Sequence, residues 1–283
     1  MIYKYENEFG FSISFASDSP YRLKSVDSSS AVDVTIAQAA TSNQVGAVVT
    51  GQKIEPKTMT FIGDMKRDSQ IRRNLLEILI TGKGRLTVTI DKEMYYMDVI
   101  VERTPSIERV NDLYDEFEFS LFAPYPYWKT LHGDSSEFIE VIPRFSFPKT
   151  FKTDEPFYLS ERRIEQIQTV RNYSVIPVGF KVIFRATGTV VDPSVTKIST
   201  GEFIKFDGLE MSSGDIVEVN TGDGEKRVSL VRGEERKNIF GLLDDDSTFF
   251  KLDIGINEIQ YEARSGTNLL VTTIENDRVV LGV

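Results

Sequence analysis

Apolar and polar residues alternate with a period of two along most of this chain, the mark of half-buried β-strands. In the first 30 residues, Tyr3-Tyr5 and Phe9-Phe11-Ile13-Phe15 read as strand or edge segments. Val32, Val34 and Ile36 then alternate with Asp33 and Thr35, and predict a half-buried strand. Between it and the next clear strand at Met59-Phe61 lies AQAATSNQVGAVVTGQKIEPK, residues 37–57, polar and small in its middle. Gly46 and Gly51 are turn candidates there, and Val45, Val48 and Val49 are expected to face any partner that comes near. The segment reads as a long hairpin or arm.

One stretch changes period. In SQIRRNLLEIL, Ile71, Leu75, Ile78 and Leu79 share a face at the i, i+4, i+7, i+8 spacing, predicting a helix over about 69–80. Asp68 or Ser69 is placed to cap its start, and Gly82 or Gly84 to end it in a left-handed turn. Three turns with a single greasy stripe are not stable alone in water, so the helix must lie across a sheet. Strands follow at Leu86-Val88-Ile90, Tyr95-Met97-Val99-Val101 and Phe117-Phe119-Leu121, the first two joined by a turn at Asp91-Lys92-Glu93. In APYPYW, residues 123–128, Pro124 and Pro126 remove backbone donors, so the ladder should stop. A first domain over 1–130 and a second over 131–283 follow.

Beyond the boundary, RRIEQIQTV at 162–170 is ambiguous and the rest is strand-like. Short alternations run from Val178-Phe180-Val182-Phe184 to Arg278-Leu281, separated by FDGLE, MSSGD, NTGDGEK and RSGTN, where glycines supply the positive φ of tight turns. Many short strands at this spacing predict an antiparallel β-sandwich. The chain is thus expected to be mainly β, with one packed helix and a hairpin arm in the first domain.

Composition narrows the function. The 283 residues suffice for two ordinary domains. The net charge is −10, with 15 basic and 18 acidic residues up to residue 130 and 18 and 25 beyond. Neither half has the positive field that nucleic-acid backbone recognition needs, although a channel through which DNA slides is compatible with acidic walls. The chain has no cysteine, which excludes disulfides and thiol chemistry. MIYKYENEFGFSISF lacks the apolar core of a signal peptide, and no apolar run of membrane-spanning length occurs, so synthesis and folding in a cytoplasm are expected.

The usual marks of catalysis are missing. The single histidine, His132, has no second histidine or cysteine with which to build a zinc site. HExxH, GxSxG, GxGxxG and GxxxxGK[ST] are absent, so no catalytic, cofactor-binding or metal residue is assigned. Asp244-Asp245-Asp246 invites a cation, yet Phe249 stands where a calcium loop needs its glycine, and a solvated turn is the simpler reading. A sugar-binding face on the second domain would draw on Tyr158, Tyr173 or Tyr261, since the only tryptophan, Trp128, sits at the boundary. Trp128 itself is expected to plug the domain junction, with a contact to another subunit as the alternative.

The order and spacing of these features resemble the distal tail protein (Dit) family of long-tailed bacteriophages and prophages. The resemblance is carried by the arm 37–57, KTMTFIGDM, DSQIRRNLLEIL, TGKG and FSLFAPYPYW. In the second half it is carried by GDIVEVNTGDGEKRVSL and RKNIFGLLDDDSTFFKLDIGINEIQYEA. It implies a structural protein of the virion, not an enzyme and without cofactor. Six copies would form a ring joining the tail tube to the tail tip or baseplate, with an axial channel for DNA. The implied partners are further copies of the chain, the tail-tube protein, a tail-tip or tail-associated lysin protein and, in some relatives, receptor-binding proteins. The second domain would be a galectin-like jelly roll, and no inserted sugar-binding module is visible. Ring contacts would fall on the arm around Gln38, Asn43, Val45 and Gly46 and on the helix surface at Arg72 and Arg73. The rival readings are a tail-tube protein forming stacked rings and a carbohydrate- or receptor-binding tail-tip module. Pairing the arm with a neighbour would also remove an exposed strand edge, which is a hazard for a monomer.

Overall fold

The computed structural model describes residues 1–27, 31–40, 45–80, 82–131, 133–143, 160–164 and 166–280, with the side chains of 139–143 and 160–164 left aside. The chain divides into two compact units, Met1–Leu131 with Val279–Val283, and His132–Arg278. Both are built almost wholly of antiparallel strands.

In the first unit, β1 (Ile2–Asn7), β2 (Ser12–Phe15), β3 (Tyr21–Asp27), β6 (Lys57–Lys66), β7 (Lys83–Ile90), β8 (Glu93–Arg109) and β9 (Tyr114–Ala123) form a sheet. Its order is β2-β1-β7-β8-β9-β6-β3. Between β3 and β6, β4 (Val34–Ala39) and β5 (Val48–Ile54) make a separate two-stranded hairpin. The alternation read from the sequence is sharpest in β6, where Met59, Phe61 and Met65 are fully buried while Thr60 and Ile62 are not. Phe61 stacks on Phe119 with centroids 4.9 Å apart and planes 2° from parallel. Phe15 lies 5.5 Å from Phe119, and Tyr3 meets Phe61 edge-on at 5.6 Å. Two edge strands, β2 and β3, are joined by a short turn, and Phe15 meets Tyr21 across it at 6.1 Å.

The helix α1 (Ser69–Ile78) covers this core. Asp68 is its cap: the Oδ1 accepts from the backbone N–H of Gln70 at 2.7 Å and of Ile71 at 3.2 Å. Leu75 and Leu79 are fully buried, and Ile71 and Ile78 half-buried. Tyr21 fastens the helix by donating its hydroxyl to the Ile71 carbonyl at 2.7 Å. The expected glycine stop is not used. Leu79, with φ −93°, donates its N–H to the Leu75 carbonyl, and Gly84 lies within β7. Gly84 is needed there for another reason, since a Cβ would stand 2.5 Å from the Tyr5 ring.

The β7–β8 turn places Asp91 and Lys92 both at positive φ, the two-residue geometry that matches strand twist. After Ala123 the two prolines interrupt the ladder as expected, but it resumes as β10 (Trp128–Thr130), which pairs with Tyr95 and Tyr96 of β8.

In the second unit, one sheet takes β11 (Asp134–Glu137), β15 (Lys181–Ala186), β19 (Ile216–Asn220), β20 (Arg227–Arg232), β21 (Glu235–Asn238) and β23 (Leu270–Asn276). The other takes β14 (Ile167–Asn172), β16 (Val190–Lys197), β17 (Phe203–Lys205), β18 (Glu210–Met211) and β22 (Gly255–Ser265). Strands β12 (Ile139–Pro143) and β13 (Ser160–Ile164) pair with each other. Buried faces of the two sheets meet where Phe138 packs edge-on against Tyr261 at 5.0 Å and Phe184 against Phe206 at 6.4 Å. In the ambiguous stretch at 162–170, the residues up to Ile164 belong to β13 and those from Ile167 to β14, with no helix among the described residues. The final strand, β24 (Val279–Val280), returns to the first unit and pairs with Trp128 and Lys129. His132 and Tyr158 lie outside the described residues.

Candidate interaction surface

The β4–β5 hairpin is the most exposed element of the first unit. Every residue of both strands is exposed, and among the described residues the two strands pair only with each other. The strand expected to be half-buried at Val32–Ile36 is therefore the first strand of the arm. Its alternation faces solvent on both sides because no second layer covers it. Val34, Ile36, Val48, Val49 and Ile54 keep 43–63% of their surface, and Val45 at the tip is fully exposed. Strands of six and seven residues give the arm a reach of about 20 Å. No charged residue occurs from Val34 to Gln52. An uncharged, doubly exposed hairpin with large aliphatic side chains on both faces is what a monomer avoids and an interface uses.

Gln38 sits in this arm opposite Val49, at a register shift after Ala37. Gly46 takes φ +85° at the tip, a conformation that favours glycine. Asn43 lies outside the described residues. Arg72 and Arg73 are exposed on α1, away from the buried stripe.

A second group of exposed apolar side chains lies at the β1–β2 turn and the end of α1. Phe9 and Phe11, expected in one strand with Ile13 and Phe15, instead flank the β1–β2 turn and are 69% and 64% exposed. Asn7 breaks the strand: its Oδ1 accepts from the N–H groups of Phe9 and Phe11, at 3.1 and 3.0 Å. Its Nδ2 donates to the Ile78 carbonyl at 3.4 Å, and the Glu8 N–H donates to the Lys83 carbonyl, so the turn is tied to the end of the helix. Leu76 and Ile80, one position past the buried Leu75 and Leu79, are exposed on that helix end. Both are visible in NLLEILI as apolar residues beyond the buried stripe, Leu76 within the helix and Ile80 just past its C-cap Leu79.

Trp128 is fully buried in the core of the first unit. Lys57, at the root of the arm, is 4% exposed and holds its ammonium 5.9 Å from the Trp128 ring centroid. Burial pushes the Lys57 pKa down from 10.5 to about 8. Below pH 8 both folded and unfolded chains carry this proton and the cost of burying it is constant. Between pH 8 and the unfolded value near 10.4, only the unfolded chain binds it, so stability rises with pH, by up to about 3 kcal/mol. Tyrosines work in the opposite sense above pH 10, because burial raises Tyr5, Tyr21 and Tyr127 and pushes Tyr261 up to about 12. Urea midpoints are therefore expected to climb from pH 8 to about 9.5 and then fall. In Lys57→Met the climb is lost; an equal climb in that variant would assign it to another group.

The second unit offers less. Tyr261 is buried and not available to stack a sugar, and Tyr173 is half exposed with the Arg171 guanidinium 5.0 Å from its ring. Asp244 accepts from the Asp246 N–H at 3.0 Å, tying the acidic run into a turn. Among the described residues, no group of three or more His, Cys, Asp or Glu side chains is placed to hold a metal ion. No helix among them is long and apolar enough to cross a membrane.

Residues 174–275 match the family model of the siphovirus-type tail component, C-terminal domain. No curated protein matches the sequence. Among solved structures, the chain is similar to the SPP1 Dit protein (gp 19.1), described as a paradigm of the hub adsorption apparatus in phages infecting Gram-positive bacteria. That likeness has a TM-score of 0.66 at 11% identity and covers 98% of this chain and 99% of that one. It is also similar to a chain of the phage P2 baseplate in its activated conformation with calcium, with a TM-score of 0.59 at 13% identity over 100% and 99% of the two chains. The same baseplate with strontium gives 0.55 at 13% identity, over 100% and 99%. Residues 174–275 of the second unit are thus similar to the C-terminal domain of siphovirus-type tail components, and from end to end the chain shares the fold of the SPP1 Dit protein.

Proposed function

We propose that this chain is the structural hub of a siphovirus tail, six copies closing into a ring that joins the tail tube to the tail tip or baseplate. The observation that carries this reading is the β4–β5 arm, which contributes nothing to the core of its own unit and exposes aliphatic side chains on both faces. A hairpin on one side of a subunit, received by a different surface of the next, is a heterologous contact, and such contacts close into rings when the rotation allows. Gln38, Asn43, Val45 and Gly46 on the arm and Arg72 and Arg73 on the helix are the proposed subunit contacts. The second unit is a galectin-like jelly roll to which tail-tip, lysin or receptor-binding proteins attach. An acidic subunit suits a channel through which DNA slides without adhering.

Negative-stain electron microscopy of the purified protein tests this. Isolated rings are expected; long tubes would favour a tail-tube protein, and monomers throughout would remove the ring reading. Deleting residues 40–50 is expected to leave a folded monomer, as seen by circular dichroism and light scattering. Undiminished ring formation by the deletion variant would show that the arm is not the contact.

A further inference from the structure

Besides the arm, the first unit exposes a second group of large apolar side chains. Phe9, Phe11, Leu76 and Ile80 are all exposed, at 69, 64, 41 and 51%, around the junction of the β1–β2 turn with the end of α1. Asn7 ties the turn to the helix end, its Oδ1 accepting from the Phe9 and Phe11 N–H groups and its Nδ2 donating to the Ile78 carbonyl. We propose that this patch receives the β4–β5 arm of a second copy of the chain.

Two observations select that occupant. The first is charge. The arm runs from Val34 to Gln52 without a charged residue, so it can cover Phe9, Phe11, Leu76 and Ile80 without burying an ion on its own side. Arg72, Arg73 and Glu77 are exposed on the same helix and Glu8 in the turn, which supplies the charged groups that a polar rim around an apolar centre needs.

The second observation is placement. Asn7 pairs with Gly84, and the adjacent Lys83 continues the row through Ile100 and Phe122 to Thr58, next to the arm root at Lys57. Patch and arm root thus stand near one cross-strand row, with β7, β8 and β9 between them, a separation of about 19 Å along the sheet. They are different surfaces of one subunit, and the subunit's own arm leaves its aliphatic side chains exposed instead of covering the patch. Arm to patch is therefore a contact between unlike surfaces, repeated from copy to copy.

The proposal rests on the reading of the arm as a subunit contact, and the absence of cysteine from the chain allows the two to be tested apart. Single-cysteine variants Val48→Cys and Phe11→Cys are mixed, oxidised and resolved on a non-reducing gel, with Val48→Cys and Asn238→Cys as the control pair. All three positions are exposed, so none should disturb folding. Ile80→Cys is run alongside Phe11→Cys in case one geometry misses the Cα separation a disulfide needs. A cross-linked dimer from the Phe11 or Ile80 mixture, and none from the control, is the expected result. Assemblies that disappear on deleting residues 40–50 but give no cross-link to either position would overturn the patch and leave the arm reading standing. A wild-type protein that is monomeric at every soluble concentration would overturn both.

Discussion

Replacing Val48 and Val49 together by aspartate is expected to abolish self-association while leaving the subunit folded. The two residues are consecutive in β5, so their side chains point to opposite faces of the hairpin. Both are more than half exposed, and the arm is paired to nothing but itself, so the subunit loses little packing. Substitutions at such positions alter folding stability by about 0.5 kcal/mol or less. In the assembly, whichever face meets the neighbour would have to take a carboxylate into an apolar contact. A buried polar group without a partner costs several kcal/mol, and about 1.4 kcal/mol is a tenfold change in affinity. The expected weakening is therefore at least about 100-fold, enough to leave monomers at micromolar concentration. Light scattering reads the loss of assembly, and circular dichroism shows the retained fold. Rings of normal size and abundance from the double variant would exclude the arm from the interface.

The strands were legible where one face is covered. Phe61 and Phe119, Leu86 and Val88, and Val182 and Phe184 alternate or cluster as buried positions because a second layer lies over them. The same period misled at Val34 and Ile36, since alternation reports strand geometry and not the presence of a covering layer. At Phe9 and Phe11 a side-chain cap defeated it: Asn7 captures two backbone donors and Gly10 takes φ +82°, so the strand turns where the pattern continues. The helix was legible in its stripe and its cap, but not in its end. A backbone bond from Leu79 to Leu75 closed it without the glycine that TGKG appeared to offer.

The candidate surface was only half visible for a related reason. The arm stands out in sequence as an uncharged, loosely patterned segment between two strong strands. Its proposed receiver is assembled from the β1–β2 turn and the helix end, some 65 residues apart, through Asn7 and the Ile78 carbonyl. No local pattern encodes that meeting. What the sequence does hold is the surplus in NLLEILI, where Leu76 and Ile80 repeat the spacing of Leu75 and Leu79 one position on. Leu76 lies on the helix and Ile80 just past its C-cap, and both stay exposed where Leu75 and Leu79 are buried.

Phe119→Ala is expected to destabilise the first unit by about 3–5 kcal/mol, whereas Phe11→Ala leaves the monomer within about 0.5 kcal/mol of the parent. Both residues are phenylalanines in alternating stretches, and only their surroundings differ. Phe119 is fully buried, stacked on Phe61 at 4.9 Å and within 6.1 Å of Phe15 and Phe117. Removing its ring deletes those contacts and opens a cavity that rigid neighbouring strands cannot fill. Phe11 is 64% exposed, so its truncation removes mostly hydrated surface. Urea denaturation of the arm-deleted protein, followed by circular dichroism, separates the two effects from assembly. A loss below about 1 kcal/mol in Phe119→Ala would contradict the aromatic core, and a loss of core-like size in Phe11→Ala would mean that its ring is covered by its own subunit. In that case no surface would remain at the β1–β2 turn to receive a neighbour.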